Sequence, residues 1–175
     1  MNDIKLNRHE EISFTKEVKE EITLLKRDDI NERKALLSAF IKINGNILVR
    51  NGKLYISIKT ENKKTARLIY GEIKKLYPVQ IRIIVSEKKK LRINEDSKVI
   101  FIEICDENKL VLNDLHIYTL EDGFRALPPL RWISDVEMKK AYLSGAFLAA
   151  GSVNSTKNKN YHLEIAVNNN ELAEY

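Results

Sequence analysis

Ala141-Tyr142-Leu143-Ser144-Gly145-Ala146-Phe147-Leu148-Ala149-Ala150-Gly151 is the stretch on which the fold turns. Ala141, Gly145 and Ala149 stand at i, i+4 and i+8, so a helix here carries small side chains along one face. Such a stripe lets a second helix backbone come close. The design occurs once before, at an offset of 106 residues: Leu37-Ser38-Ala39 aligns with Leu143-Ser144-Gly145, and Gly45 with Gly151. Ala35 and Ala39 begin the matching stripe, so pairing of the two helices is expected. One loop residue further on, Leu54–Ile58 aligns with Tyr161–Ile165, Asn62 with Asn169 and Ala66 with Ala173. The chain therefore reads as two repeats, the second lacking counterparts of roughly residues 69–104. A cut-short repeat is expected to leave a sheet edge or helix face uncovered.

Outward from these helices the periodicity supplies the rest. Phe14, Val18, Ile22 and Leu25 predict an amphipathic helix over 13–25. A second helix runs from about Ile30 to Ile43, opened by the Asp29-x-x-Glu32 capping pattern and closed by Gly45 in a left-handed C′ position. Asn51-Gly52 between two period-two runs predicts a type I′ hairpin in which facing residue numbers sum to 103. Val49, Leu54, Ile47, Ile56 and Ile58 then share an apolar face. Arg50, Lys53, Tyr55, Ser57 and Lys59, with Leu48, share the other. A helix over 62–77 should bury Ala66, Ile69, Ile73 and Leu76 and stop at Pro78. Strands follow over 79–85, with Ile81, Ile83 and Val85 inward, and over 98–104, with Ile100, Ile102 and Ile104 inward. Residues 106–118 suggest a helix burying Leu110, Val111 and Leu115. A helix rich in small residues begins near Asp135.

Charge is segregated along the chain. Net charge is +5, yet residues 46–92 hold 13 basic and three acidic residues, leaving −5 for the rest. A patch for a polyanion would need segregation of this kind, and lysines that only solvate helices and blunt strand edges would give it too. A single cysteine, Cys105, rules out an intramolecular disulfide and four-cysteine zinc sites. No 18-residue apolar run and no apolar leader occur, so a cytoplasmic chain is expected.

Gly145-Ala146-Phe147-Leu148-Ala149-Ala150-Gly151-Ser152-Val153-Asn154, together with Ser13-Phe14-Thr15 leading into Glu17–Glu21 and with Tyr161-His162-Leu163-Glu164-Ile165, resembles the WhiA family of bacterial cell-division and sporulation regulators. The N-terminal half of that family is similar to LAGLIDADG homing endonucleases. The resemblance implies an α+β, αββαββα repeat fold with an incomplete second repeat. It divides the chain into an N-terminal helix and lead-in (1–28), a first repeat (29–118), a connector (119–134) and a truncated second repeat (135–175), without the family's C-terminal helix-turn-helix module.

The nucleases set one acid on each paired helix just before its terminal glycine, to hold divalent metal. Those positions are Asn44 and Ala150 here, which cannot supply the charge Mg²⁺ favours, so neither nuclease activity nor a metal or other cofactor is expected. His162-Leu163-Glu164 has the form of a deaminase motif, but the second cysteine that chemistry needs is absent. His162 is expected on the exposed sheet face, and His9 and His116 lack partners at ligand spacing. No Gly-rich phosphate loop occurs, and no small-molecule substrate is implied.

LAGLIDADG folds are similar in laying their sheet on duplex DNA. The expected nucleic-acid contacts are Arg50, Lys53, Tyr55, Lys59 and Arg82, then Lys88, Lys89 and Lys90, in a nucleoid-associated regulator of cell division or chromosome segregation. The rival expectation is a scaffold for other regulatory proteins, with Leu48, Ile84 and Phe101 as an exposed apolar patch.

Overall fold

The computed structural model describes residues 14–87, 98–125, 127–154, 162–167 and 170–174. Helix α1 covers residues 14–22 and is followed by α2 (Ile30–Asn44). Asp29 caps α2 by accepting from the Asn31 and Glu32 amides, as its spacing requires. Strands β1 (Gly45–Arg50) and β2 (Lys53–Thr60) form the expected hairpin, with Val49 opposite Leu54 and Ile47 opposite Ile56. Asn51 and Gly52 both have positive φ, as the tight turn demands. Helix α3 (Lys63–Leu76) is capped by Asn62 and buries Ala66, Ile69 and Ile73. Strands β3 (Gln80–Glu87) and β4 (Lys98–Cys105) complete an antiparallel sheet of order β1-β2-β4-β3.

Short elements link the repeats: α4 (Leu110–Asp114) and a ribbon of β5 (Tyr118–Thr119) with β6 (Gly123–Phe124). The second repeat then supplies α5 (Val136–Ala150), capped by Asp135, the hairpin strands β7 (Gly151–Val153) and β8 (Leu163–Ile165), and the first turn of α6 (Asn170–Glu174). Its register repeats that of the first hairpin: Gly151 faces Ile165 as Gly45 faces Ile58.

Helices α2 and α5 form the axis of the molecule. Ala35 through Ile41 are all buried, Ser38 included, so the middle two turns of α2 are covered on every side while its charged first turn stays nearer the surface. One side packs Leu36, Leu37 and Phe40 onto Ile56 and Ile58 of β2, Ile69 and Ile73 of α3, and Ile102 and Ile104 of β4. The other packs Ala35 and Ala39 against Ala141, Tyr142 and Ala146 of α5. The helices meet backbone to backbone at Gly145: a Cβ there would overlap the Leu36 carbonyl oxygen and lie 3.0 Å from Leu36 Cα. Ala149, on the same stripe, is half-buried against the main core. Around this axis α1 ties on through Thr15, whose hydroxyl donates to the Val153 carbonyl and accepts from the Val153 amide, both at 3.0 Å.

Several expectations need correction. Gly45 is extended (φ −84°, ψ 137°) rather than left-handed, and Gly151 matches it (φ −75°, ψ 146°). Each helix runs straight into a strand, and glycine is needed because a Cβ would crowd the preceding turn, at Ile41 and Phe147 respectively. Helix α1 turns off after residue 22, leaving Leu25 exposed. The helix expected over 106–118 shrinks to α4, because Asp106 accepts from the Val111 and Leu112 amides and starts the turn late; Leu110 is then outside the core. The inward faces of β1 and β3 are only half covered: Val49 is 71% and Val85 56% exposed. Both are edge strands, and α3 lies over the central pair. The segment expected as a plain connector contains the β5–β6 ribbon.

The Gly145 contact generates a test. Gly145→Ala should destabilise the fold by about 2 kcal/mol in urea unfolding, through overpacking against a backbone that cannot move aside. Gly71→Ala, in α3 with open space around its would-be Cβ, should instead stabilise by about 0.5–1 kcal/mol through helix propensity. Shifts of the same sign would count against the backbone contact.

Candidate nucleic-acid interface

The side chains expected to meet a polyanion lie on the outward face of the sheet, fixed there by register. Reading across the strands, one row holds Arg50 beside Lys53. The next holds Leu48, Tyr55, Cys105 and Gln80; then come Asn46, Ser57, Glu103 and Arg82; then Lys59, Phe101 and Ile84. Four cations therefore share one face with a single strand carboxylate, Glu103.

That carboxylate organises the face. Its side chain is only 7% exposed, whereas those of Arg50 and Arg82 are 48% and 66% exposed above it. Arg50 grips Glu103 with both terminal nitrogens, Nη2 to Oε1 at 2.9 Å and Nη1 to Oε2 at 3.2 Å. To do so it reaches from the edge strand across β2, passing 5.8 Å from the centre of the Tyr55 ring. Arg82 comes from the other side, Nη2 to Oε2 at 2.7 Å. Hydrogen bonds from Arg82 and then Arg50 hold the Glu103 carboxyl below its ordinary pKa, against the opposing effect of desolvation.

The remaining cations differ in their company. Lys53 pairs with Glu107 at 2.6 Å, an exposed pair that raises the lysine and lowers the carboxyl. Lys59 is exposed and has no carboxylate in ion-pair range among the described residues. Lys88, Lys89 and Lys90 lie outside the described residues. The apolar patch expected from Leu48, Ile84 and Phe101 is not continuous: the row of Asn46, Ser57, Glu103 and Arg82 runs between Leu48 and the other two.

The helix ends present no acid. Asn44 and Ala150 are the last residues of α2 and α5, both half-buried. Among the described residues no cluster of three His, Cys, Asp or Glu side chains is arranged to hold a metal ion. His162 is exposed, as expected, with Nε2 3.1 Å from Glu164 Oε2. Cys105 Sγ sits 3.5 Å from Glu107 Oε1. No helix among the described residues is long and apolar enough to cross a membrane.

Glu103 is a residue of this face that the sequence pattern alone does not single out. It was legible as a strand residue facing outward amid Ile100, Ile102 and Ile104, but only the register of β3 on β4 sets it opposite Arg82.

Two helices in backbone contact, each passing through a glycine into an antiparallel hairpin, define a LAGLIDADG-type repeat domain. Comparison with known proteins narrows this. The sequence profile described as the WhiA N-terminal LAGLIDADG-like domain matches residues 31–118, and that of the WhiA LAGLIDADG-like domain matches residues 139–175. The chain belongs to the WhiA family. It is 41% identical over 167 residues to a protein of Staphylococcus aureus (strain NCTC 8325 / PS 47) named probable cell division protein WhiA, covering 93% of this chain and 50% of that one. A protein of the same name from Staphylococcus haemolyticus (strain JCSC1435) is 39% identical over 158 residues, covering 88% and 48%. The chain thus spans about half the length of these relatives. Among solved structures, the N-terminal LAGLIDADG domain of WhiA superposes with a TM-score of 0.60 at 25% identity, over 90% of this chain and 68% of that one. Full-length WhiA from Thermatoga maritima superposes with a TM-score of 0.57 at 23% identity, over 89% and 45%.

The Glu103 pairing has a pH signature. A carboxyl whose pKa is depressed by folding adds stability above its unfolded value of about 4.3, and that contribution is lost as pH falls through the folded value. In a carbon-13 NMR titration the Glu103 carboxyl should have its midpoint below the ordinary glutamate value, moving upward in Arg82→Ala and in Arg50→Ala. A midpoint unmoved by either change would remove the two arginines as its cause.

Proposed function

We infer that this chain is a non-catalytic, DNA-associated part of a WhiA-type regulator of bacterial cell division, and that it holds duplex DNA electrostatically on the outward sheet face. The observation that carries the reading is the gathering of Arg50, Lys53, Lys59 and Arg82 on one face whose only strand carboxylate is sunk beneath two of them. Contacts of this kind go to phosphates, which supply affinity and little sequence information. Family membership and the relatives' cell-division names support the biological setting. Partner regulatory proteins and association with the nucleoid belong to the same reading.

The non-catalytic part rests on Asn44 and Ala150, which leave the helix ends without the paired carboxylates that metal-assisted phosphodiester cleavage requires. Purified chain with Mg²⁺ should therefore leave supercoiled plasmid intact. Metal-dependent nicking by the purified chain would end that part of the reading.

Fluorescence anisotropy against a labelled duplex at several salt concentrations tests the binding. With three or four phosphates neutralised, log affinity should fall with log salt at a slope of about −3 to −4, a loss of roughly a hundredfold between 50 and 200 mM. Lys59→Ala should flatten the slope by about one unit. A folded chain that ignores duplex at low salt would instead favour the scaffold alternative, in which exposed Ile84 and its neighbour Phe101 meet a protein partner.

A further inference from the structure

Arg50, Tyr55, Gln80, Arg82 and Glu103 are among the residues that line an open notch of about 320 Å³ at the outward sheet face, with Ile81 also at its wall. Two guanidinium groups from opposite edge strands converge there on one oxygen, Glu103 Oε2. Long cationic side chains on a bare strand lose rotamer freedom when they grip a ligand. Here much of that ordering already exists in the free protein, because a buried carboxylate grips both from below. Arg82 gives Glu103 only one of its nitrogens, Nη2.

We propose that this notch seats one backbone phosphate of duplex DNA, and that Glu103 is the positioning residue that holds Arg50 and Arg82 toward it. The proposal rests on the DNA reading above and sharpens it. A duplex suits the site better than a free nucleotide, because cations extend beyond the notch on the same face. Lys53 and Lys59 are six residues apart along β2, a span of about 20 Å.

The test turns on a sign. If only the summed charge of the face mattered, removing Glu103's negative charge would tighten DNA binding. Positioning requires the opposite. Glu103→Gln raises the net charge by one, yet should weaken duplex binding three- to tenfold at 100 mM salt. Glu103→Asp, which keeps the charge but withdraws the carboxylate by one methylene, should weaken it as well. Circular dichroism and urea midpoints report whether each variant is folded. A measurement on the unaltered chain stands beside them: duplex should shift the Arg50 and Arg82 side-chain NH resonances in nitrogen-15 NMR.

Equal or tighter binding by folded Glu103→Gln overturns the proposal while leaving duplex binding itself in place, as does an absence of shifts in those resonances on a duplex that binds. A nucleoside monophosphate that shifts them as strongly as duplex overturns the choice of ligand. An unaltered chain that binds no duplex removes the broader reading as well, and is recognised by the anisotropy titration alone.

Discussion

The contact between the α5 backbone at Gly145 and the Leu36 carbonyl on α2 is the constraint from which the rest of the structure follows. Two helices this close need small residues where the backbones meet, hence Ala35, Ala39, Ala141 and Ala146, with the larger Tyr142 and Met138 packed beside them. Because the seam is thin, α2 still has a second side to bury, and Leu36, Leu37 and Phe40 take the sheet and α3 on that side. One helix thereby serves two cores. The cost is falling tolerance: a methyl group at Gly145 would need α2 to move, and with it every side chain α2 places on the sheet.

Much of this was readable from residue order because several local signals agreed. The offset between Leu37-Ser38-Ala39 and Leu143-Ser144-Gly145 gave the two helices. Asn51-Gly52 gave the hairpin and its register, and Asn62 and Asp135 gave two helix starts. What was not readable depended on distant parts of the chain. Val49 and Val85 carry a buried strand's pattern, but their strands lie at the sheet edges, and edge position is a property of the whole sheet order. Asp106 shortened α4 through its own side chain, which competes with the helix for backbone amides. At the outward face the cations were legible one by one. Their partnership was not, because Arg50 meets Glu103 from two strands away, and no spacing rule spans that gap.

The outward face shows how a polar cluster is made tolerable on a sheet. A buried carboxylate between isoleucines would be costly alone, and it is balanced by two charge-assisted contacts from different strands. The arginines keep part of their surface in water, and Tyr55 fills the space beneath Arg50. Lys53 with Glu107 is the weaker kind of pair, exposed on both sides and open to screening. The face is thus graded, with a rigid charged centre and looser lysines at its flanks.

The junctions at Gly45 and Gly151 carry a mechanical consequence. With no loop between helix and strand, β1 continues directly from α2 and β7 directly from α5, and the two helices touch backbone to backbone. Moving one helix along the other would pull Leu36, Leu37 and Phe40 off the sheet, so the separation of β1 from β7 is a fixed gauge. Whatever spans both must match that gauge or do the bending itself.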